Sequence, residues 1–203
     1  TGKLLSEKID RMEAAYTEPY RIADGSGFYY SRLQKLAPGA PATDGYKLSK
    51  AHFHRLGTDP DKDPIVFATG LWPGVAIGDE DFPSIVLASG TPYAIGKIKH
   101  GDSNPLTLYA APLGAKADLF KRTGAKAPWK LVCDVADSVT HFTVHGEHIY
   151  LMSSKGAPRF KVVRTPLAAP DFARAETVVA PSERVIDGLT SASQDALEHN
   201  QAG

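Results

Sequence analysis

The chain contains 203 residues, and 23 Lys and Arg side chains balance 23 Asp and Glu, so its formal net charge is zero. A neutral chain gives no support for general attraction to nucleic acid or to an anionic membrane, because both need a basic excess. With 42% apolar and 23% charged residues, the composition is typical of a folded domain and not of a disordered chain. The length suits one domain or part of a larger one.

A single cysteine, Cys133, excludes an internal disulfide framework and a multi-cysteine zinc site. The apolar runs are all shorter than the roughly 20 residues that span a bilayer. The N-terminus also lacks the pattern of a signal peptide. We therefore expect a soluble protein with no membrane or nucleic-acid partner, and the compartment, cytoplasmic or periplasmic, stays open.

The first candidate element covers residues 4–15, where good helix formers occur with an apolar spacing near 3.6 residues. This pattern fits one short helix or a frayed strand followed by a loop. Elsewhere, 18 Gly and 15 Pro divide the chain into short pieces rich in β-branched and aromatic residues, which predicts strands and turns. The predicted strands are 27–30, 64–67, 84–87, 106–109, 129–132, 142–144, 149–152 and 160–163.

The strands recur in units of about four. We assign Phe28, Ile85, Ile149 and Ala196 to the second strand of successive units, at spacings of 57, 64 and 47 residues. Four-stranded propeller blades of about 40–50 residues fit these spacings when loops are inserted. The inserted loops are 38–45 and 114–128, and the third unit is predicted to have strands at 139–144, 148–152, 160–165 and 176–180.

These patterns predict an all-β chain that forms a partial β-propeller of about three four-stranded antiparallel blades, with fragments at each end. The predicted blade-like units are 16–70, 71–135 and 136–182, and residues 183–203 begin the next unit. Closed propellers have about four to eight blades. An open ring exposes sheet edges and apolar sheet faces, so we expect this chain to be part of a longer polypeptide.

Four motifs, each a turn next to an apolar strand, occur in order along the chain. Residues 24–32 read DGSGFYYSR, and residues 52–67 read HFHRLGTDPDKDPIVF. Residues 154–163 read SKGAPRFKVV, and residues 178–186 read VVAPSERVI. In this order and register, the motifs resemble the propeller of the prolyl oligopeptidase family, over about residues 20–187.

The resemblance implies a segment from the middle of a seven-bladed-type propeller. The parent protein would be a serine peptidase that hydrolyses short peptides after proline, with a Ser-Asp-His triad on a separate α/β-hydrolase domain. In that family the propeller acts as a lid that excludes folded proteins. The implied partners are the hydrolase domain of the same polypeptide and a short peptide substrate, and no cofactor or metal is implied.

This chain contains no Gly-x-Ser-x-Gly nucleophile elbow. We therefore expect it to carry no catalytic residue and to be inactive alone. Because propellers host many unrelated functions, a stand-alone module that binds a ligand or a protein is the alternative. A sugar-processing propeller enzyme is a third interpretation, but it would need paired carboxylates at the channel mouth, and we see no convincing pair.

Loop parity gives the candidate substrate-facing residues. In a meander, successive connections lie on alternate faces, so 33–46, 68–74, 89–104, 134–137 and 153–158 are predicted to share one face. We treat 89–104 as one long loop between second and third strands. The predicted substrate-filter residues are Trp72, Thr91, Tyr93, Lys97 and His100.

Gly57, Thr58 and Asp59 fit a tight turn between the third and fourth strands of a blade, and the acidic residues Asp59, Asp61 and Asp63 lie in or next to it. A calcium site is the alternative, but the spacing lacks the Gly and terminal Glu of an EF-hand loop. Cys133 lies in an apolar strand and is predicted to be a small buried side chain.

Two groups of histidines could hold a metal. His52 and His54 alternate along one strand and so point to the same side, and His141, His145 and His148 surround a predicted turn. Neither group has a matched carboxylate or cysteine at a recognised spacing. We expect structural or solvent-facing histidines.

Overall fold

The computed structural model describes residues 7–13, 19–88, 90–113 and 129–191. These residues form three four-stranded sheets. The first sheet contains β1 (Tyr20–Arg21), β2 (Gly27–Arg32), β3 (Lys50–Arg55) and β4 (Ile65–Phe67). The second contains β5 (Asp81–Leu87), β6 (Tyr93–His100), β7 (Leu106–Pro112) and β8 (Lys130–Cys133). The third contains β9 (Val139–His145), β10 (His148–Ser153), β11 (Lys161–Pro166) and β12 (Glu176–Val179).

In each sheet the strands are antiparallel and follow chain order from one edge to the other. This is the meander of a propeller blade, and it confirms the predicted all-β fold class. Helical structure in the described ranges is limited to short 3₁₀ turns, such as Ala42–Tyr46 and Pro60–Lys62. None of the helices there has the length and apolar character needed to cross a bilayer.

The predicted element at 4–15 falls partly outside the described residues, because only 7–13 are described. Those seven residues form neither helix nor strand. Their backbone is tied to the first sheet, since the Leu33 amide donates to the Arg11 carbonyl at 3.0 Å. The Arg11 Nε donates back to the Leu33 carbonyl at 3.2 Å.

The third sheet matches its prediction closely. The four predicted strands overlap β9 to β12 in order. A two-residue turn, Gly146 and Glu147, joins β9 to β10, and Gly146 has a φ of +57°. Two-residue hairpin turns need positive φ, which glycine adopts without steric cost.

The second sheet corrects the prediction. Ile85 lies in β5, the first strand of its sheet, and not in a second strand, whereas Phe28 and Ile149 do lie in second strands. The true second strand is β6, inside the segment that we expected to be a loop. Ala196 lies outside the described residues.

Gly96 explains both the missed strand and the close packing there. Glycine in a strand interior reads as a break in the sequence, yet Gly96 pairs with Ile85 and Tyr109 in the middle of the sheet. A Cβ at this position would lie 2.6 Å from the Phe67 ring. The Phe67 ring would have to shift to make room for any larger residue at position 96.

Two apolar clusters hold the three sheets together. The first lies between the first and second sheets and is built around Tyr29, Phe53, Phe67, Ile98 and Trp129. The second lies between the second and third sheets and is built around Ile95, Leu108, Val132, Ile149 and Leu151. The second sheet thus contributes apolar side chains from both of its faces.

Candidate substrate-facing surface

The connections that leave one sheet for the next lie at the same end of the strands as the connections between the second and third strands of each sheet. We call this surface the linker face, and it comprises residues 33–49, 68–80, 101–105, 134–138, 154–160 and 180–191. The Leu48 amide donates to the Asp79 carbonyl at 2.6 Å. Ser153 Oγ donates to the Asp137 carbonyl at 2.6 Å, and Lys155 Nζ lies 2.8 Å from Asp137 Oδ1. These contacts join neighbouring connections into one surface.

The connections of the linker face carry more exposed apolar side chains than the described connections of the opposite face. Among the described connections, those of the opposite face expose one large apolar side chain, Leu56. The exposed apolar side chains of the linker face are Tyr46, Leu48, Leu71, Val135 and Val185. Exposed apolar side chains grouped on one surface are typical of a contact with another protein or domain.

A cleft of about 520 Å³ opens on the linker face between the first two sheets. Its walls combine the aromatic rings of Tyr46 and Phe82 with the charged side chains of Lys47, Glu80 and Asp102. Lys47 Nζ lies 2.9 Å from Asp44, outside the cleft lining, and this pair raises the Lys47 pKa. The cleft can therefore contact both apolar and charged groups of a ligand.

Of the predicted filter residues, Trp72 lies on a linker-face connection but points inward. Its side chain is buried between the first and second sheets. The indole Nε1 donates to the Val66 carbonyl at 2.8 Å. In this arrangement Trp72 packs the core and does not reach a ligand on the surface.

The other four predicted filter residues do not share one loop, so this part of the prediction is wrong. Thr91 and Tyr93 lie at the β5–β6 turn on the opposite face, whereas His100 ends β6 at the linker face. Seven strand residues of about 3.3 Å each separate Tyr93 from His100 by roughly 23 Å. Lys97 lies within β6 and lines a cleft against the third sheet.

His100 is held from two sides. Its Nδ1 donates to Asp81 Oδ1 at 2.7 Å, and its Nε2 lies 2.9 Å from the Thr107 hydroxyl. This order resembles a catalytic triad, but Thr107 is 7% exposed, so its hydroxyl is not open to a substrate. The array instead joins three strands, since Asp81 pairs directly with His100 across β5 and β6.

A second polar array covers the outer side of the first sheet, away from the second sheet. Arg32 is 6% exposed and forms ion pairs with Asp10 and Asp61. Its Nη1 also donates to the Pro60 carbonyl at 3.2 Å. The Arg32 guanidinium lowers the pKa of Asp10 by hydrogen bonding. Residues 7–13 are therefore fixed to the sheet by charge as well as by backbone hydrogen bonds.

Asp63 lies at the centre of the same side of the sheet. It accepts a hydrogen bond from Tyr30 at 2.9 Å and another from His54 Nδ1 at 2.9 Å. Burial raises the pKa of the Tyr30 phenol, and Asp63 adds to this effect. The buried His54 Nε2 has no hydrogen-bond partner among the described residues and lies 3.9 Å from Glu7 Oε1.

These contacts support the structural interpretation of the acidic turn. Asp59 accepts from the Asp61 amide at 3.1 Å and begins the turn Pro60–Lys62. Asp61 and Asp63 each have the partners already described. Burial lowers the pKa of His52, whose ring stacks on the ring of Tyr30 with 5.5 Å between the ring centroids.

The remaining candidates from the sequence are Cys133 and the histidines around the β9–β10 turn. Cys133 is buried, as predicted, and this burial raises the pKa of its thiol to about 12. His145 and His148 pair across the β9–β10 hairpin, and His141 pairs with Met152. In the part of the chain that the structure describes, no three His, Cys, Asp or Glu side chains come together as a metal site.

Three stacked four-stranded antiparallel meanders define a segment of a β-propeller. The family model described as the N-terminal β-propeller domain of prolyl oligopeptidase matches residues 1–197. The chain therefore belongs to the prolyl oligopeptidase N-terminal β-propeller family.

Curated relatives are consistent with this assignment. The chain is 24% identical over 183 residues to prolyl oligopeptidase A of Amanita bisporigera, covering 86% of this chain and 22% of the relative. It is 22% identical over 165 residues to the prolyl endopeptidase of Elizabethkingia meningoseptica, covering 79% of this chain and 21% of the relative. The chain thus spans about a fifth of the length of these relatives.

Solved structures show the same fold. A prolyl endopeptidase, from a study of two such enzymes and their inter-domain dynamics, matches with a TM-score of 0.64 at 23% identity. This match covers 87% of this chain and 24% of that structure. Prolyl oligopeptidase B from Galerina marginata, bound to a 25mer macrocyclization substrate, matches with a TM-score of 0.63 at 16% identity. This second match covers 88% of this chain and 23% of that structure.

Proposed function

We propose that this chain is a non-catalytic segment of the propeller of a serine oligopeptidase that cleaves short peptides after proline. Its linker face contacts the α/β-hydrolase domain of the same polypeptide, and the propeller admits small peptides and excludes folded proteins. The family assignment supports the parent activity. The larger number of exposed apolar side chains on the connections of the linker face, compared with the described connections of the opposite face, carries the assignment of the contact surface.

The proposed blades are 16–70, 71–135 and 136–182, with 183–203 as the start of a further blade. Residues that follow β12 return towards the first strand of the third sheet. The Ile186 amide donates to the Arg159 carbonyl at 3.1 Å, and Thr143 donates to Ser191 Oγ at 3.0 Å. This path leads towards the position where a next blade would pack on the third sheet.

The parent activity is tested by treating the native source material with a fluorophosphonate probe, which reacts with an activated serine. We expect a labelled polypeptide several times larger than 21.8 kDa that contains peptides of this chain. An unlabelled species of 21.8 kDa as the sole carrier of these peptides would contradict the enzyme proposal. The chain would then be a stand-alone binding module.

The contact surface is tested with two matched leucines in the full-length protein. Leu71 on the linker face and Leu56 on the opposite face are 41% and 42% exposed. Each is changed to cysteine, and labelling by a maleimide is measured; the native Cys133 is buried. We expect Leu71→Cys to be labelled at least tenfold more slowly than Leu56→Cys. Equal labelling rates would overturn the assignment of the linker face.

A further inference from the structure

The strap that lies on the outer side of the first sheet consists of residues 7–13, and it brings a carboxylate to the buried His54. The Gly57 amide donates to Glu7 Oε1 at 2.8 Å and so fixes the position of this carboxylate. The same oxygen lies 3.9 Å from Nε2 of His54. The side chains of His54 and Glu7 are 1% and 13% exposed. A ring nitrogen and a carboxylate oxygen therefore face each other in a partly enclosed site, too far apart for a hydrogen bond.

The other ring nitrogen of His54 already has a partner. Nδ1 lies 2.9 Å from Oδ2 of Asp63, whose side chain is 3% exposed. Because an ionised carboxylate can only accept, this contact places the single proton of a neutral imidazole on Nδ1. Nε2 is then an acceptor that faces a second acceptor, Glu7 Oε1, and it has no hydrogen-bond partner among the described residues. A buried polar atom without a partner lowers the stability of the folded state.

A second proton on His54 would give this nitrogen a partner. An imidazolium carries an N–H on both ring nitrogens, so it can donate to Asp63 and to Glu7 at the same time. Charge-assisted N–H···O bonds are about 2.7–2.9 Å long, so Glu7 and the strap would move about 1 Å towards the sheet. Burial opposes a charge on the ring, but the two adjacent carboxylates favour it.

Other charged and titratable groups surround His54 on the elements that pack against it. On β2, burial raises the pKa of the Tyr30 phenol, which therefore stays protonated, and the charge of Arg32 is balanced by ion pairs with Asp10 of the strap and with the acidic turn. On β3, burial lowers the pKa of His52, so this ring gains its charge at a lower pH than an ordinary imidazole. Histidine is the side chain whose charge ordinarily changes between about pH 5 and 8. We therefore expect His54, which has a carboxylate beside each nitrogen, to respond first as the pH falls.

We propose that Glu7 and His54 form a pH-dependent latch, which tightens the strap on the first sheet in mild acid. The stabilisation belongs to the protonated ring, which bridges Asp63 and Glu7, so it is lost as the pH rises and Nε2 gives up its proton. The strap is then held by its other contacts alone. In stronger acid Glu7 is itself protonated, and its carboxyl group no longer attracts the ring. The strap is therefore held most tightly at a pH between these two transitions, whether or not the parent protein is a peptidase.

The latch is tested by NMR spectroscopy of the 203-residue chain between about pH 8 and about pH 5.5, the range in which histidine changes its charge. Nitrogen-15 spectra of the imidazole rings identify the protonated nitrogens. We expect the His54 proton on Nδ1 alone at the upper pH and on both nitrogens at the lower pH. Hydrogen exchange of the Leu33 amide, which donates to Arg11 of the strap, should slow at least threefold beyond the intrinsic pH dependence of exchange. The Ile98 amide, in the core of the second sheet, is the internal reference and should lack this extra change.

Glu7→Gln removes the charge of the latch and keeps the size of the side chain, so it should abolish the extra protection of the Leu33 amide. The matched control is Glu147→Gln, at an exposed carboxylate in the β9–β10 turn, which should respond as the unmodified chain does. Three results would each overturn the proposal: equal protection of Leu33 at both pH values, a Glu7→Gln variant that responds like the unmodified chain, or a His54 proton on Nε2 at the upper pH. The first and third are measured on the unmodified chain and do not depend on the stability of a variant.

Discussion

The first sheet has two sides that are built from different chemistry. On the side that faces the second sheet, Tyr29, Phe53 and Phe67 are buried in an apolar cluster. On the other side, the side chains of Arg32, His54 and Asp63 are also buried, but they form hydrogen bonds and ion pairs with polar partners. Strands β2 and β3 thus supply an apolar contact on one side and a polar contact on the other by alternation of side chains, and Asp63 joins the polar side from the turn that precedes β4.

The two sides of the first sheet bind their neighbouring segments by different interactions. The apolar side depends on area and close packing, which change little with pH or salt. The polar side fixes residues 7–13 through partners that must keep their charge. We therefore expect the attachment of the second sheet to be strong and insensitive to pH, and that of residues 7–13 to be weaker and sensitive to acid.

The largest expected effect comes from removing the centre of the apolar side. Phe67→Ala should lower the free energy of unfolding by about 3–5 kcal/mol, because it removes a fully buried ring and leaves a cavity. Urea unfolding measures the loss. Leu131→Ala, at an exposed side chain of β8, is the control and should change the free energy by less than about 0.5 kcal/mol. A Phe67→Ala effect as small as the control would refute the comparison.

Overpacking the same contact should have the next largest effect. Gly96→Ala places a methyl group 2.6 Å from the Phe67 ring, and we expect a loss of about 1–3 kcal/mol in the free energy of unfolding. Gly188→Ala is the control, since an added Cβ there meets nothing within 4 Å. The loss is measured by thermal unfolding of both variants. Equal unfolding temperatures would show that the Phe67 ring moves aside without a loss of stability.

On the polar side, Arg32→Gln should cost about 1–2 kcal/mol. Breaking a fully buried ion pair costs about 3–5 kcal/mol, but the partners Asp10 and Asp61 are 56% and 69% exposed. The Leu33 amide, which donates to Arg11, should also exchange its hydrogen faster. Arg164→Gln, which removes an exposed pair with Glu176, should cost less than about 1 kcal/mol. Unchanged exchange at Leu33 would mean that charge does not hold residues 7–13.

The smallest expected effect is a response to acid. The Gly57 amide donates to Glu7 and lowers the pKa of that carboxyl below its usual value of 4.5. Because the pKa of Glu7 is lower in the folded state than in the unfolded state, the ionised carboxylate stabilises the folded contact with Gly57 at pH values above the unfolded pKa. This stabilisation is lost as the pH falls through the folded pKa and the carboxylate is protonated. The Gly57 amide proton shift should therefore titrate with a midpoint below 4.5.

The Glu7→Gln variant is the control for this titration, because its side chain does not ionise in acid. Its Gly57 amide shift should lack the transition. A midpoint at or above 4.5 in the unmodified chain would show that the Glu7–Gly57 contact does not persist in solution.

The parts of the fold that the sequence predicted best are those with regular turn chemistry. All four strands of the third sheet were predicted in the right order, because Gly146 and the motif at 154–163 mark the turns between them. In the second sheet β5 was taken for a second strand and β6 was missed, because Gly96 interrupts β6 for a reason that lies in Phe67, 29 positions away in the sequence. A contact of that separation leaves no local signal.

The missed strand also explains the outcome for the candidate site. Because β5 was taken as the second strand and β6 as part of a loop, the whole of 89–104 was assigned to one face, and Thr91 and Tyr93 were placed on the wrong one. Trp72 was placed on the correct connection, but its side chain points into the core, where the indole donates a hydrogen bond to the carbonyl of Val66. The array of Asp81, His100 and Thr107 could have been found only after β6 was recognised, because antiparallel pairing then sets Asp81 opposite His100.

The two apolar clusters of the described residues have no member in common. Each contact between sheets thus contributes its own term to the free energy of unfolding, as the contacts between neighbouring repeats do in repeat proteins. A chain arranged in this way can lengthen or shorten by whole sheets, since adding one creates a new contact without altering the existing ones. Among the described sheets, the second is the one that packs against another sheet on both of its sides, so it should be the last to open when the molecule is pulled or heated.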